Sequence, residues 1–243
     1  MKHIDILEFV MRFFLILILS VVFGVASAGN ILGNVEKLKG SVKVKSEGSI
    51  KKSRVRAGLE IKAGDLIITS KNASAKIKLR DGSTVVLDES SSIFFNSTYN
   101  AQQNSGKIYY KITSRDAKHS LKIKTPFAII GIKGTTFIIN ATEDASSVAL
   151  KEGLIGVASI KEEFELYRKE VQKEFEDFMA QQKAAYDEYK QVQKPGFVEK
   201  TKEFDLHQKK TVSFDGNKAS EEDWTKADDE EFEHFEELIN SMK

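Results

Sequence analysis

Alternation of apolar and polar residues with a period of two recurs through residues 31–160 and sets the fold class. Residues 41–45, 75–80 and 119–124 show it most clearly. Successive side chains of a strand point to opposite faces, so the apolar members share one face and lysines the other. The inward set is Val42, Val44, Ile77, Leu79, Leu121 and Ile123. Further apolar stretches predict buried strands at residues 66–68, 85–87, 93–95, 128–132, 137–139 and 154–160.

Glycine-rich turns separate these stretches every 8–12 residues. The strongest hairpin signal is Asp81-Gly82, for which we expect a type I′ turn with positive φ at both central residues. Asn104-Ser105-Gly106 is read as another turn. The prediction is a mainly β fold: a two-sheet sandwich or roll of many short strands, followed by an α-helical C-terminal extension with a long helix.

The composition argues against most kinds of catalytic site. The chain has no cysteine, and its four histidines lack metal-ligand spacing. We therefore expect no catalytic, cofactor-binding or metal-binding residues. The formal net charge of +1 hides a division, because residues 1–160 carry +10 and residues 161–243 carry −9. Two differently built regions are expected, and their opposite charges should attract each other.

The N-terminus is typical of a targeting segment. Residues 13–25 are almost wholly apolar, Arg12 precedes them, and Ala26-Ser27-Ala28 follows as a small-x-small site. We expect a signal peptide over residues 1–28, cleaved after Ala28, and a periplasmic or secreted bacterial protein. An uncleaved membrane anchor is the alternative.

Four motifs within residues 29–160 resemble, in the correct order, those of FecR domains. They are residues 63–70, residues 75–83, residues 125–137 and Lys151-Glu152-Gly153. The positions that carry the resemblance are Gly64, Asp65, Asp81, Gly82, Ser83, Thr125, Pro126, Gly131, Gly134, Thr135, Phe137, Glu152 and Gly153. We expect these residues to be structural: Pro126 starts a strand at a defined angle, and Gly131 and Gly134 bracket a tight corner or bulge.

The resemblance implies an all-β fold of two sheets and a role in envelope signalling. FecR-type regulators contact a receptor's periplasmic domain and control a sigma factor through a cytoplasmic region that precedes the membrane segment. Only about 12 residues precede the apolar run here. The chain is therefore expected to resemble the stand-alone exported FecR-domain proteins, without iron citrate signalling.

Residues 161–243 are predicted to form a charged helical extension. A stripe at three- and four-residue steps predicts a helix of about 32 residues from Lys161 to Val192, about 48 Å long. Its possible partner-binding residues are Phe164, Tyr167, Val171, Phe175, Phe178 and Tyr189. Residues 210–214 suggest one more strand or hairpin edge. A second helix is expected after a capping box of Ser220 and Asp223, with an apolar stripe of Trp224, Ala227, Phe232, Phe235, Leu238 and Ile239.

Both stripes are expected to pack on the β domain or on each other; the alternative is a partner or self-association surface. The run of acids at residues 228–231 is expected to be a solvated helix face.

Three functions are compared. The first is a non-catalytic interaction or sensing module that binds an envelope protein. The second is a binder of anionic envelope polymer, glycan or lipid headgroup, through the basic β domain. The third, least favoured, is a hydrolase using Asp65, Asp81, Asp88 and Glu89. No nucleic-acid partner is expected, and membrane contact is expected only through an uncleaved signal.

Overall fold

The structure is a computed structural model that describes residues 30–113, 120–169, 171, 173–174 and 198–242. The chain divides into two compact units, residues 1–30 and 31–243. The described part of the second unit is mainly β, as predicted, and ends in helix α1 at Lys226–Ser241. In these described ranges no helix combines the length and apolarity that crossing a bilayer requires.

Nineteen strands precede this helix. Their bounds are β1 Ile31–Lys39, β2 Val42–Lys45, β3 Ser53–Arg54, β4 Glu60–Lys62, β5 Asp65–Thr69, β6 Ser74–Leu79, β7 Thr84–Leu87, β8 Ser92–Ser97, β9 Asn100–Lys111, β10 Leu121–Lys124, β11 Ala128–Ile132, β12 Thr136–Ala141, β13 Ser146–Glu152, β14 Leu154–Ser159, β15 Phe164–Arg168, β16 Glu199–Thr201, β17 Glu203–His207, β18 Lys210–Asp215 and β19 Lys218–Asp223.

The strands form two open sheets joined by the long strand β9. Sheet A runs in the order β4-β1-β6-β7-β9-β12-β13-β18-β19-β15-β16, and sheet B runs β3-β2-β5-β8-β9-β10-β11-β14-β17. Most neighbours are antiparallel; β9–β10 and β15–β19 are parallel. The first half of β9 pairs within sheet B and its second half within sheet A.

The main core lies between the inner faces of the two sheets, where the alternation predicted it. All six inward-facing residues named from the pattern are buried, at 9% exposure or less: Val42, Val44, Ile77, Leu79, Leu121 and Ile123. Every apolar stretch predicted as a buried strand contributes to a strand of one of the sheets. Alternation therefore predicts correctly which face of these strands is buried.

Two of the predicted turns have a different geometry. Asp81-Gly82 does join β6 to β7, but only Gly82 has positive φ, at +85°, so the type I′ expectation is wrong. The turn instead spans residues 79–83, closed by the Leu79 N–H donating to the Ser83 carbonyl at 2.9 Å. Gly106 is inside β9 rather than in a turn, and its φ of +82° marks the bend where the strand leaves sheet B for sheet A.

The predicted long helix from Lys161 is wrong over its first residues, because Phe164–Arg168 is strand β15. Phe164 is buried and its ring centroid is 5.7 Å from Phe204 and 5.5 Å from Phe214. The described residues 169, 171, 173 and 174 are helical, and Val171 is half-buried. Phe175, Phe178 and Tyr189 lie outside the described residues. Four further strands, β16 to β19, occupy the region predicted as mostly helical, and the suggested strand at residues 210–214 is confirmed as β18.

Helix α1 packs on the outer face of sheet A, as expected for the second stripe. Phe232 and Phe235 are buried against Val86, Tyr109 and Ile138, with Trp224, Leu238 and Ile239 at the edge. Ala227, named in the stripe, is exposed. The capping box is at Thr225 and Asp228, not at Ser220 and Asp223, because strand β19 continues to Asp223.

Candidate interaction surface

The polar signature residues of the β5 and β6–β7 regions make hydrogen bonds that shape turns. Asp65, 4% exposed, accepts a bond from the Lys62 N–H at 2.8 Å. Asp81 accepts from the N–H and the hydroxyl of Ser83 at 3.0 and 2.8 Å. The Ser83 hydroxyl in turn accepts from the Thr113 N–H at 3.1 Å. These side chains replace missing backbone partners in the turns, which is the physical role that Asp and Ser have there.

The segment around Pro126 forms a side-chain-capped turn that begins β11. The buried Thr125 hydroxyl accepts from the N–H groups of Phe127 and Ala128 at 3.3 and 3.0 Å and donates to the Ala128 carbonyl at 3.1 Å. Pro126 is exposed and Phe127 half-buried. The Thr125 hydroxyl thus supplies hydrogen-bond partners to backbone groups next to Pro126 that have no regular strand partner.

Gly134, Thr135 and Gly153 form a tight contact between the β11–β12 and β13–β14 connections. Gly153 has a φ of +99°, and a Cβ built there would lie 2.9 Å from the Gly134 carbonyl oxygen and 2.6 Å from Thr135 Cγ2. A side chain at Gly153 is therefore excluded by both conformation and space. Next to this contact Glu152 pairs with Thr136, and Phe137 stacks on Tyr110 at 4.9 Å.

Gly131 differs from these positions because nothing inside the fold requires a glycine there. It lies in the middle of β11, opposite Gly156 of β14, and neither has positive φ. A Cβ at Gly131 would come no closer than 3.6 Å to any neighbour, and one at Gly156 no closer than 3.8 Å. A glycine inside a strand weakens it, and it often marks a place where a ligand or another backbone approaches closely. The corner predicted from Gly131 to Gly134 occurs at Gly134 alone, where φ is +72°.

The two glycines leave a strip of bare backbone on the outer face of sheet B. In register, Lys122 of β10, Gly131, Gly156 and Asp205 of β17 form one row across four strands. The row is the floor of an open depression of 490 Å³, with Ile129, Ala158 and Glu203 along its side. A cation and a carboxylate therefore face each other across a floor without side chains.

A second row beside it is apolar and only partly covered. Leu66, Phe94, Ile129 and Ala158 follow one another across sheet B and are half-buried. Gln102 and Lys124 lie between Phe94 and Ile129 in the same row. We call the depression and this row together the sheet B surface.

The outer face of sheet A is covered instead, from β7 to β13, by the acidic helix α1. Lysines of the sheet and its turns meet acids of the helix: Lys107 pairs with Glu231, Lys151 with Glu236 at 3.7 Å, and Lys209 with Asp229 at 3.6 Å. Thr211 donates to Asp228 at 3.0 Å. The expected attraction between the basic and acidic regions is thus confirmed for Glu231 and Glu236, whose lysine partners lie within residues 1–160. The interpretation of residues 228–231 as a plain solvated face is wrong, because three of these acids contact the sheet.

Two buried tyrosines lie next to each other in β9 on opposite faces of sheet A. Burial beneath α1 raises the pKa of Tyr109 to about 12, with further upward contributions from the charges of Glu236 and Glu152. Burial alone raises the pKa of Tyr110 well above its ordinary value. The Tyr110 hydroxyl donates to the buried Gln103 side chain at 2.8 Å, and that side chain donates to the carbonyls of Gly106 and Ile139. Both phenols are held neutral, as packing groups.

The carboxylates considered for hydrolysis each have a partner that fixes a loop. Asp65 and Asp81 make the turn bonds above, Asp88 lies 3.2 Å from His234 of α1, and Glu89 accepts from the Asn72 N–H at 2.6 Å. In the ranges that the structure describes, no group of three or more His, Asp or Glu side chains is placed to hold a metal ion.

The sequence patterns identify Gly131 but not its partner Gly156. The signal is present, because Ile130-Gly131-Ile132 and Ile155-Gly156-Val157 are the same pattern of a glycine between β-branched residues. Of the possible partner-binding stripe, Phe164 is in the core and Tyr167 is half-buried in β15, so neither is on a helix.

Comparison with known proteins gives a family match and a partial structural likeness. The family model described as FecR protein matches residues 65–156, which run from β5 into β14. No curated protein matches the chain in sequence. Two crystal structures of a "putative anti-sigma factor from Parabacteroides distasonis ATCC 8503", at 1.65 and 2.50 Å resolution, are similar over 65% of this chain, with 12% identity and a TM-score of 0.43. The match spans 59% of the length of that protein.

Proposed function

Residues 65–156 match the FecR family, and from this premise we propose that the chain is a non-catalytic signalling or sensing module of the bacterial envelope that binds a protein partner on the sheet B surface. Its export is part of the proposal and is supported by the apolar residues 13–25 and the small-x-small site that follows. The proposal is regulatory rather than catalytic because the family is regulatory and the signature side chains hold turns.

The single observation that carries the proposal is the pair Gly131 and Gly156. Two glycines opposite each other in inner strands cost stability, and their positions have ordinary backbone conformation and room for a side chain. A partner segment gains from this arrangement, because it can approach the sheet backbone directly. Lys122 and Asp205, at the two ends of the row, would fix the direction of the partner segment by pairing with a carboxylate and a cation of that segment, respectively.

The half-buried row of Leu66, Phe94, Ile129 and Ala158 supplies apolar area beside the bare backbone. An interface gains its energy from such a desolvated apolar centre with polar groups at the rim. We expect the partner to place an apolar side chain over Gly131 and Gly156, against Ile129. The opposite sheet offers no equivalent surface between β7 and β13, because α1 already covers it.

The test fills the depression without disturbing the fold. In the full chain, Gly131→Val and Gly156→Val put β-branched side chains where the structure has space, so the melting temperature should stay the same or rise. A photo-crosslinking residue at Ile129, in the cells that produce the protein, should capture one recurring protein. The glycine variants should reduce that capture at least tenfold. Ser147→Val, on the outer face of sheet A, is the matched control and should leave it unchanged.

Capture that is equal from Ile129 and from Ser213, an exposed position on sheet A, would show that the crosslinks are unspecific. Glycine variants that melt like the original protein and still capture the same protein would refute the sheet B surface as the binding site. Capture of one recurring protein from Ser213 but not from Ile129 would place the interface on sheet A instead.

A further inference from the structure

The loop of the β2–β3 hairpin presents an aliphatic side chain, Ile50, to solvent. Ile50 is 95% exposed, the largest exposure among the big apolar side chains that the structure describes. The turn is built to hold it outward: the Ser49 N–H donates to the Ser46 carbonyl at 3.0 Å, and the Ser49 hydroxyl accepts from the Lys51 N–H at 3.2 Å and donates to the Lys51 carbonyl at 2.9 Å. A β-branched apolar residue is an unusual choice for a turn, where Gly, Asn, Asp and Ser are favoured.

Positive charge surrounds this tip. Between residues 43 and 56 there are six basic residues and one acid, Glu47. The basic set is Lys43, Lys45, Lys51, Lys52, Arg54 and Arg56, all exposed. Within the described ranges, no salt bridge joins any of them to an acid.

The pairing of the hairpin strands places two like charges opposite each other. Lys43 and Arg54 are directly opposite each other, and their side chains share the outer face of sheet B because Val42 and Val44 point into the core. Like charges in opposing positions of a strand pair destabilise it. An anionic surface that lies against this face would remove the repulsion.

The loop of the hairpin contacts Gly64, one of the positions that carry the resemblance to FecR domains. The side chain of Glu47 lies over Gly64, so closely that a Cβ on Gly64 would be 2.6 Å from Glu47 Cβ. The Gly64 N–H donates to the Phe95 carbonyl of β8 at 2.8 Å. The contact between Glu47 and Gly64 fixes the loop of residues 46–52 against the connection between β4 and β5.

We propose that this hairpin, residues 43–56, is a contact site for the surface of an anionic phospholipid bilayer. Ile50 enters the boundary between headgroups and acyl chains, and Lys51, Lys52 and the paired Lys43 and Arg54 lie over lipid phosphates. A soluble anionic glycan satisfies the charges but offers nothing to Ile50, so the exposed aliphatic tip favours the bilayer. This contact is additional to any made by the N-terminal apolar segment, and its residues are distinct from those of the sheet B surface.

The test exploits the absence of cysteine from the chain. Ile50→Cys in the full chain, labelled with an environment-sensitive NBD fluorophore, reports the surroundings of the tip alone. With vesicles of phosphatidylcholine and phosphatidylglycerol in equal parts, we expect a blue shift and a gain in emission. Vesicles of phosphatidylcholine alone should give none. Glu143→Cys, at the exposed tip of the acidic β12–β13 hairpin, is the matched label control and should not respond.

Variants of the unlabelled hairpin supply an independent measure by vesicle flotation. Lys51→Gln with Lys52→Gln should weaken the binding to anionic vesicles by roughly 20- to 30-fold, since each basic residue near such a surface contributes about fivefold. Ile50→Asn should weaken it by about tenfold. All three positions are exposed, so melting temperatures should not change. No shift at position 50 with anionic vesicles, an equal shift at position 143, or a shift caused by soluble polygalacturonate but not by vesicles would overturn the proposal.

Discussion

At the scale of single residues, Tyr109 shows how α1 alters the chemistry of the sheet beneath it. Its ring is stacked on Phe235 at 5.6 Å and meets Phe232 edge-on at 5.9 Å. The neutral phenol is favoured in the folded state because the helix removes water and brings Glu236 close, which raises the pKa of Tyr109 to about 12. In the unfolded chain a tyrosine ionises near pH 10.

This difference makes stability depend on alkaline pH. The contribution of Tyr109 to the free energy of unfolding is fully present below pH 10. It is lost as the pH rises through 12, because the phenol releases its proton first in the unfolded state. Tyr109→Phe keeps the stacked ring and cannot ionise. We expect the two proteins to unfold alike at pH 8, and the variant to become the more stable by about 1–2 kcal/mol at pH 12. Urea unfolding of both proteins from pH 8 to 12 measures the difference in their stability. A difference that does not change with pH would contradict the assigned burial of Tyr109.

The glycines show why some residue roles could be predicted and others could not. Gly153 and Gly134 have positive φ at connections, which is the usual reason for glycine in a turn and is visible in a sequence as punctuation between strands. Gly131 has the same appearance in the sequence but is within a strand. Its partner Gly156 is 25 residues away, and only the register of β11 against β14 brings the two together.

At the scale of elements, helix and strand are hard to distinguish where both patterns fit a short window. Phe164, Tyr167 and Val171 suit a helix stripe at three- and four-residue steps, yet Phe164 and Leu166 also alternate with Glu165 as in a strand. Parallel pairing with β19 and antiparallel pairing with β16 decide for the strand, and both partners come from later in the chain. Helix α1 is predictable because its stripe, residues 224–239, has no competing alternation.

Helix α1 is held mainly by apolar contact, since its ion pairs are partly solvent-exposed and such pairs contribute little. We therefore expect Phe235→Ala to destabilise the protein by about 3 kcal/mol, because the buried ring leaves a cavity over Tyr109. Thermal unfolding should show a melting temperature lower by about 6–12 °C. The control Ala227→Gln, at an exposed position of the same helix, should change little. Similar melting temperatures for both variants would mean that α1 does not depend on this contact.

At the scale of the whole molecule, the β body extends beyond the limit that the sequence predicts. The run of strands separated by glycine turns ends at residue 160, so the sequence predicts the end of the β domain there, with residues 210–214 as one suggested further strand. The structure instead returns to both sheets: β17 pairs with β14 in sheet B and β18 with β13 in sheet A. Composition reveals only part of this, because these strands are as charged as the sequence around them and bury only alternate residues.

Two truncations separate the closing strands from the helix. Ending the chain after residue 160 removes Leu166, Leu206, Val212 and Phe214 from the main core and leaves β13 and β14 without neighbours on one side. We expect this protein to lose cooperative unfolding and to aggregate through the two open strand edges. Ending it after residue 224 keeps every strand and removes only α1, so unfolding should stay cooperative at a lower melting temperature. Calorimetry and light scattering compare them. If the shorter protein were monodisperse and melted like the longer one, β15 to β19 would be an appendage, and the single β body described here would be wrong.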